Sequence, residues 1–272
     1  MKISFFKQNA GLTWIALCIG CLFATSSVGA IAPSEFQKAG QQYYEWRVYH
    51  FKSEDQKRVV EEYLQKAAIP ALNKLGISPI GVFDEADGKE GLKLHVLIPY
   101  KSLDQFEQTP AKLTADATYQ KAAAAYLNTA HTEPAYDRIE SSLMKAFKDM
   151  PILKVPKTST AKRDRVYEFR SYESFSEKSG LKKIHMFNEG GEIKLFDRLG
   201  FNAVFFAQTI AGTRMPNLTY MTTFDNKESR DKHWEDFSND PEWKKLSGKE
   251  EYANTVSKAY IIFLTPTDYS QI

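Results

Sequence analysis

The chain has 272 residues, 43% hydrophobic and 26% charged, a composition that can fill the core of one large or two ordinary globular domains. Its 36 basic and 34 acidic side chains are mixed along the sequence, so the basic stripe of a nucleic-acid binder is missing.

Residues 1–30 open with Lys2 and Lys7, continue through an apolar run from Leu12 to Phe23, and end in small residues up to Ala30. That layout predicts a signal peptide cut after Ala30, and hence an exported, periplasmic or secreted protein with no stable membrane insertion after cleavage. Acylation at Cys21 is the anchored alternative. Both cysteines, Cys18 and Cys21, fall in this leader, so the processed chain has no thiol chemistry, disulfide or cysteine metal site. Cleavage also removes two lysines and no acid, leaving 34 basic against 34 acidic residues.

An alternating strand follows, with Tyr44, Trp46 and Val48 on one face and Glu45 and Arg47 on the other. Val60, Leu64, Ala67, Ala71 and Leu75, three to four apart, predict a helix ending at Gly76. Strands are expected near 79–84 and 92–98, joined through Asp87-Gly88, and then a helical region over 102–127 broken around Pro110. A last strand is placed near 133–140, with an amphipathic stretch at 139–147. Residues 149–164, with Pro151 and Pro156, have linker composition. The second half repeats the order: strand 166–173, helix 179–199, strands 202–210 and 217–224, helices 226–237 and 240–247, strand 257–265.

The halves are copies of one another. Tyr44-Glu45-Trp46-Arg47-Val48-Tyr49 returns as Tyr167-Glu168-Phe169-Arg170-Ser171-Tyr172. Leu75-Gly76 returns as Leu199-Gly200, and the segment opening at Asp116 returns at Asp240, both at an offset of 124. The order β-α-β-β-α-β defines a ferredoxin-like unit. The expected fold is therefore α+β, with two tandem units at 41–148 and 165–272 joined into one pseudo-twofold barrel of the dimeric α/β-barrel type.

The second half carries a more specific resemblance. His185-Met186-Phe187-Asn188-Glu189-Gly190-Gly191-Glu192, Phe196 to Phe201, Pro216 to Met221, and Asp231 to Trp243 with His233, Trp234 and Pro241 resemble the C-terminal domain of the NIPSNAP family. The resemblance is specific over about 165–270, weaker over 43–140, and implies the dimeric α/β-barrel fold. It implies no settled activity.

Aligning the helices at the offset of 124 sets Asn188 against Leu64, and Val96 against Tyr220, so the second copy reads as the more polar one. A ligand cleft there would be lined by Tyr172, His185, Asn188, Glu189, Arg214, Tyr220, His233 and Trp234, the alternative being an internal hydrogen-bond network at the domain contact. His185 and Glu189 stand one turn apart, too few donors for a metal site, and no motif asks for a cofactor. Gly190-Gly191 is placed inside a helix as a packing contact. Three functions remain in view. One is binding of a small apolar or aromatic ligand. Another is a cofactor-independent monooxygenase-like or isomerase-like enzyme, with His185 as base and Arg214 or Tyr220 polarising an oxygen. The last is a homo-oligomeric interaction module that dimerises through its strand edges.

Overall fold

The computed structural model describes residues 40–88, 91–158 and 160–272. The predicted signal peptide lies outside the described residues. The first repeat contains β1 (Tyr43–Phe51), α1 (Glu54–Tyr63), a π-helical turn over Leu64–Ala68, α2 (Ile69–Lys74), β2 (Gly81–Glu85), β3 (Leu92–Tyr100), α3 (Leu103–Ala115), α4 (Ala117–Ala122), α5 (Ala124–Leu127) and β4 (Arg138–Ala146). The second contains β5 (Val166–Glu173), α6 (Glu177–Phe187), α7 (Glu192–Arg198), β6 (Asn202–Ala211), β7 (Asn217–Phe224), α8 (Lys227–Asn239), α9 (Pro241–Ser247) and β8 (Lys258–Pro266).

The strands close in the order β1-β3-β2-β8-β5-β7-β6-β4. Each repeat supplies a four-stranded antiparallel sheet, and the two join where β2 meets β8 and β4 meets β6. Closure gives every strand two neighbours, and the strand edges left for the strand-edge dimerisation considered above are short stretches at the two seams, where β8 meets β2 only over Leu264–Pro266 and β4 meets β6 only over Leu143–Ala146. The α+β tandem barrel expected from the repeat is the fold observed.

Alternation along the strands separates three cores. Inside the barrel pack Tyr44, Trp46, Phe83, Leu97, Tyr167, Phe169 and Met221. Trp46 and Phe169 are equivalent residues of the two copies, and they stack on each other at 4.3 Å across the interior. Outside the barrel, each sheet is covered by the helices of its own repeat.

Helix starts follow from their caps. Ser53, Ser102, Ser176 and Asn226 accept a bond from the backbone N–H three residues on, and Asp116 and Asp240 cap α4 and α9. The pair Ser53 and Ser176 stands at an offset of 123, whereas Ser102 and Asn226, like Asp116 and Asp240, stand at 124. The second copy therefore holds one extra residue in its first helical region, and the structure spends it on a break. The helix expected over 179–199 ends at Phe187 and restarts at Glu192. Gly190-Gly191 is thus not inside a helix: Gly191 takes φ 90° as the cap of α7, and a Cβ on Gly190 would stand 2.4 Å from the Met186 carbonyl oxygen. The strand expected near 133–140 begins at Arg138, and the amphipathic stretch after it is that strand, β4. Its alternation had the period of a strand, not of a helix.

Candidate functional site

Glu45, Arg47 and Tyr49 lie on the helix-facing side of β1, two residues apart and therefore in line. Arg47 donates from Nε to Glu45 Oε1 at 2.8 Å, from one terminal nitrogen to Oε2 at 3.1 Å, and from the other to the Tyr49 hydroxyl at 3.3 Å. β5 builds the same ladder. Arg170 donates to Glu168 Oε1 from Nε at 3.0 Å and from a terminal nitrogen at 2.7 Å, and to the Tyr172 hydroxyl at 2.9 Å. Both carboxylates are buried, Glu45 to 3% exposure and Glu168 to 0%. A buried carboxylate costs several kcal/mol unless it is paired and hydrogen-bonded, so the ladder is the condition for placing these residues there.

In the first repeat, this ladder forms one wall of a cavity of about 410 Å³ between the sheet and the helices. Its polar end holds Glu45, Arg47, Tyr63, Tyr100 and Tyr119. The rest of its lining is mostly apolar, from Leu64, Ile69 and Leu72 in the first helical region, Val96 and Ile98 on β3, and Phe106, Pro110 and Leu113 on α3, with Glu107, Thr109, Thr114 and Gln120 among them. Glu45 takes two further donors, the Ser141 hydroxyl at 2.9 Å and the Tyr100 hydroxyl at 3.2 Å. Tyr63 and Tyr119 share a hydrogen bond of 2.9 Å. Burial pushes the Tyr63 and Tyr100 phenols well above their ordinary pKa, so both keep their protons. The volume suits a small organic molecule, and an apolar body with a polar head matches the lining.

The second repeat fills the equivalent position. Trp234 on α8 corresponds to Pro110 on α3, since the caps Asn226 and Ser102 set that offset. Its indole lies 3.7 Å from the Arg170 guanidinium and donates from Nε1 to Glu168 Oε2 at 2.7 Å. Arg230 forks onto the same carboxylate at 3.0 and 2.6 Å. Burial alone would raise the Glu168 pKa, but Arg230, Arg170 and Trp234 together hold it below the usual carboxylate value. Around the indole pack Phe196, Phe201 and Phe237.

The eight residues assigned to a second-repeat cleft do not share one. Tyr172, Tyr220 and Trp234 do converge: the two tyrosine hydroxyls meet at 2.8 Å, and Tyr172 continues to Arg170. Asn188 is buried, but it ends α6, donating to the Ile184 carbonyl at 3.0 Å and accepting from the Asp149 backbone at 3.2 Å. With α1 and α6 starting 123 apart, its earlier match to Leu64 passes to Phe187. Glu189 is exposed and paired with Lys148 at 2.6 Å. His185 is exposed and meets the Tyr252 hydroxyl at 2.8 Å, whereas Arg214 packs on Tyr260 and Tyr220 bonds Tyr172, so the three do not form the catalytic group proposed for them. His233 bonds within its own helix, donating from Nδ1 to the Ser229 carbonyl at 2.6 Å. Arg214 lies at a mouth of the barrel, its guanidinium 3.7 Å over Tyr260, in a second cavity of about 340 Å³ shared with His50, His95 and Arg138. Burial and the neighbouring Arg138 lower the His50 pKa there.

Sequence reasoning passed over Glu45, Arg47, Glu168, Arg170 and Arg230. The signal was present as Glu-x-Arg-x-Tyr in both opening strands, and it served only to detect the repeat. Among the described residues, no group of three or more His, Asp or Glu side chains is placed to hold a metal, and no helix is long and apolar enough to cross a membrane.

A closed eight-stranded barrel with paired helices outside it defines the dimeric α/β-barrel class, here completed within one chain. The NIPSNAP family profile matches residues 44–151 and 167–271, and the chain belongs to that family. No curated protein matches it. Among solved structures, the chain is similar to a provisionally assigned monooxygenase from Lactobacillus acidophilus NCFM, with 10% identity over 83% of this chain and 94% of the other and a TM-score of 0.54. A second provisionally assigned monooxygenase, from Fusobacterium nucleatum, has 10% identity over 84% and 93% with a TM-score of 0.55. A NIPSNAP family protein from Agrobacterium tumefaciens has 19% identity over 43% of this chain and 98% of its own, with a TM-score of 0.35.

Proposed function

We propose that this protein binds a small ligand with an apolar body and a polar head in the first-repeat cavity. The observation that carries the reading is the cavity itself: about 410 Å³, apolar walls, and a buried Glu45–Arg47 pair with phenol groups at one end. Four donors already occupy the Glu45 oxygens, which suits orienting a ligand better than abstracting its proton. Native mass spectrometry of gently purified protein tests this. A retained small molecule, lost when Leu72→Trp or Val96→Trp fills the cavity, supports it; retention unchanged by both substitutions overturns it.

A cofactor-independent monooxygenase-like or isomerase-like enzyme is the second reading; the two similar structures provisionally assigned as monooxygenases share the fold at 10% identity. A retained ligand that is oxidised on incubation with oxygen selects it. Export remains part of the proposal on the strength of residues 1–30. Fractionation followed by N-terminal sequencing checks it: protein found only in the cytoplasm refutes export, and a start at Met1 in the exported fraction refutes cleavage after Ala30.

A further inference from the structure

The two repeats carry the same ladder but end it differently, and the difference describes a ligand. Glu168 receives five hydrogen bonds: two from Arg170, two from Arg230 and one from the indole N–H of Trp234. Glu45 receives four: two from Arg47, one from Tyr100 and one from Ser141. The hydroxyls of Tyr100 and Ser141 replace the fork of Arg230, whose position on α3 holds Phe106. Among the described residues nothing replaces the indole, because Pro110 stands where Trp234 stands in the other copy. Arg47 accordingly keeps 29% of its side chain exposed, on the cavity, whereas Arg170 beneath the indole keeps 11%.

We infer that the first-repeat cavity takes a planar aromatic molecule with one N–H or O–H donor, stacked on Arg47 and donating to Glu45 as Trp234 stacks on Arg170 and donates to Glu168. The inference rests on the proposed ligand role of that cavity and names the ligand's chemistry. A guanidinium face binds an aromatic ring through its π-cloud, and Glu168 shows that a carboxylate in this setting accepts an indole N–H as a fifth donor beside four others. The apolar walls from Leu72, Val96, Ile98 and Leu113 accept the rest of the ring system. The second repeat, with its own side chain in that place, is the occupied form of the same site.

Calorimetric titration with indole, 1-methylindole and toluene tests this on the whole chain. The expected result is one indole per chain, with 1-methylindole about tenfold or more weaker, since it stacks but cannot donate to Glu45. Pro110→Trp puts the chain's own indole over Arg47 and abolishes indole binding. Trp234→Gly vacates the twin position and raises the stoichiometry from one to two. Should that variant fail to fold, the 1-methylindole comparison and Pro110→Trp decide alone. Equal affinity for indole and 1-methylindole, or binding that survives Pro110→Trp, overturns the inference. Toluene binding without indole binding overturns it while leaving the cavity a ligand site, and an unliganded wild-type protein that binds none of the three overturns both.

Discussion

Replacing Glu168 by glutamine probes the ladder where it is most buried. The carboxylate is 0% exposed and neutralises Arg170 and Arg230, whose side chains are 11% and 18% exposed. Glutamine keeps the shape but leaves two guanidinium groups without their anion. Breaking a buried pair by removing one partner costs about 3–5 kcal/mol. Residual exposure lets both arginines regain some water, so a loss near 3 kcal/mol is expected, or roughly 6–12 °C in Tm for a fold of this size. The pH dependence has a definite sign. The folded Glu168 pKa is depressed, so its contribution is fully present above the unfolded glutamate value near 4.3 and is lost as pH falls through the folded value. Urea unfolding of wild type and variant should therefore differ most at pH 6–7, and the gap should narrow below about pH 4. A loss under about 1 kcal/mol at pH 7, or a gap independent of pH, would refute the account of Glu168 as the ionised centre of the network.

Other expectations follow from single contacts. In a double-mutant cycle of Trp46→Ala and Phe169→Ala, the stacked pair should show a coupling of about 0.5–1.5 kcal/mol, measured by urea unfolding; additive losses would mean the repeats do not meet there. Gly191→Ala should cost about 1–2 kcal/mol from its φ of 90° alone, because a Cβ there meets nothing within 4 Å. Gly191→Asn should cost less, and equal losses would point to a clash instead of backbone strain. His185→Ala removes one surface hydrogen bond to Tyr252 and should change stability by less than about 1 kcal/mol, leaving ligand retention intact. Loss of retained ligand in that variant would return His185 to the site.

The duplicated pattern was sufficient to read the fold from residues alone. Period-two alternation marks the strands, apolar spacing of three to four marks the helical regions, and two copies of β-α-β-β-α-β leave two sheets that one chain can join. These are local features, encoded within a few residues of where they act. The site was legible only as chemistry without address. Glu-x-Arg-x-Tyr appears in both copies, but nothing near it in sequence says that one arginine faces a cavity and the other an indole. That depends on residue 110 against residue 234, more than 60 positions further along in each case. The same limit explains Asn188 and Glu189, whose partners, Asp149 and Lys148, lie just after β4 of the other repeat. Hydrogen bonds and packing form between groups brought together by closure of the barrel. The sequence by itself determined the repeat and the order of its strands and helical regions; where the helices break, which strands meet at the seams, and the filled volume above each ladder were decided only by the tertiary structure, because they depend on contacts between distant segments.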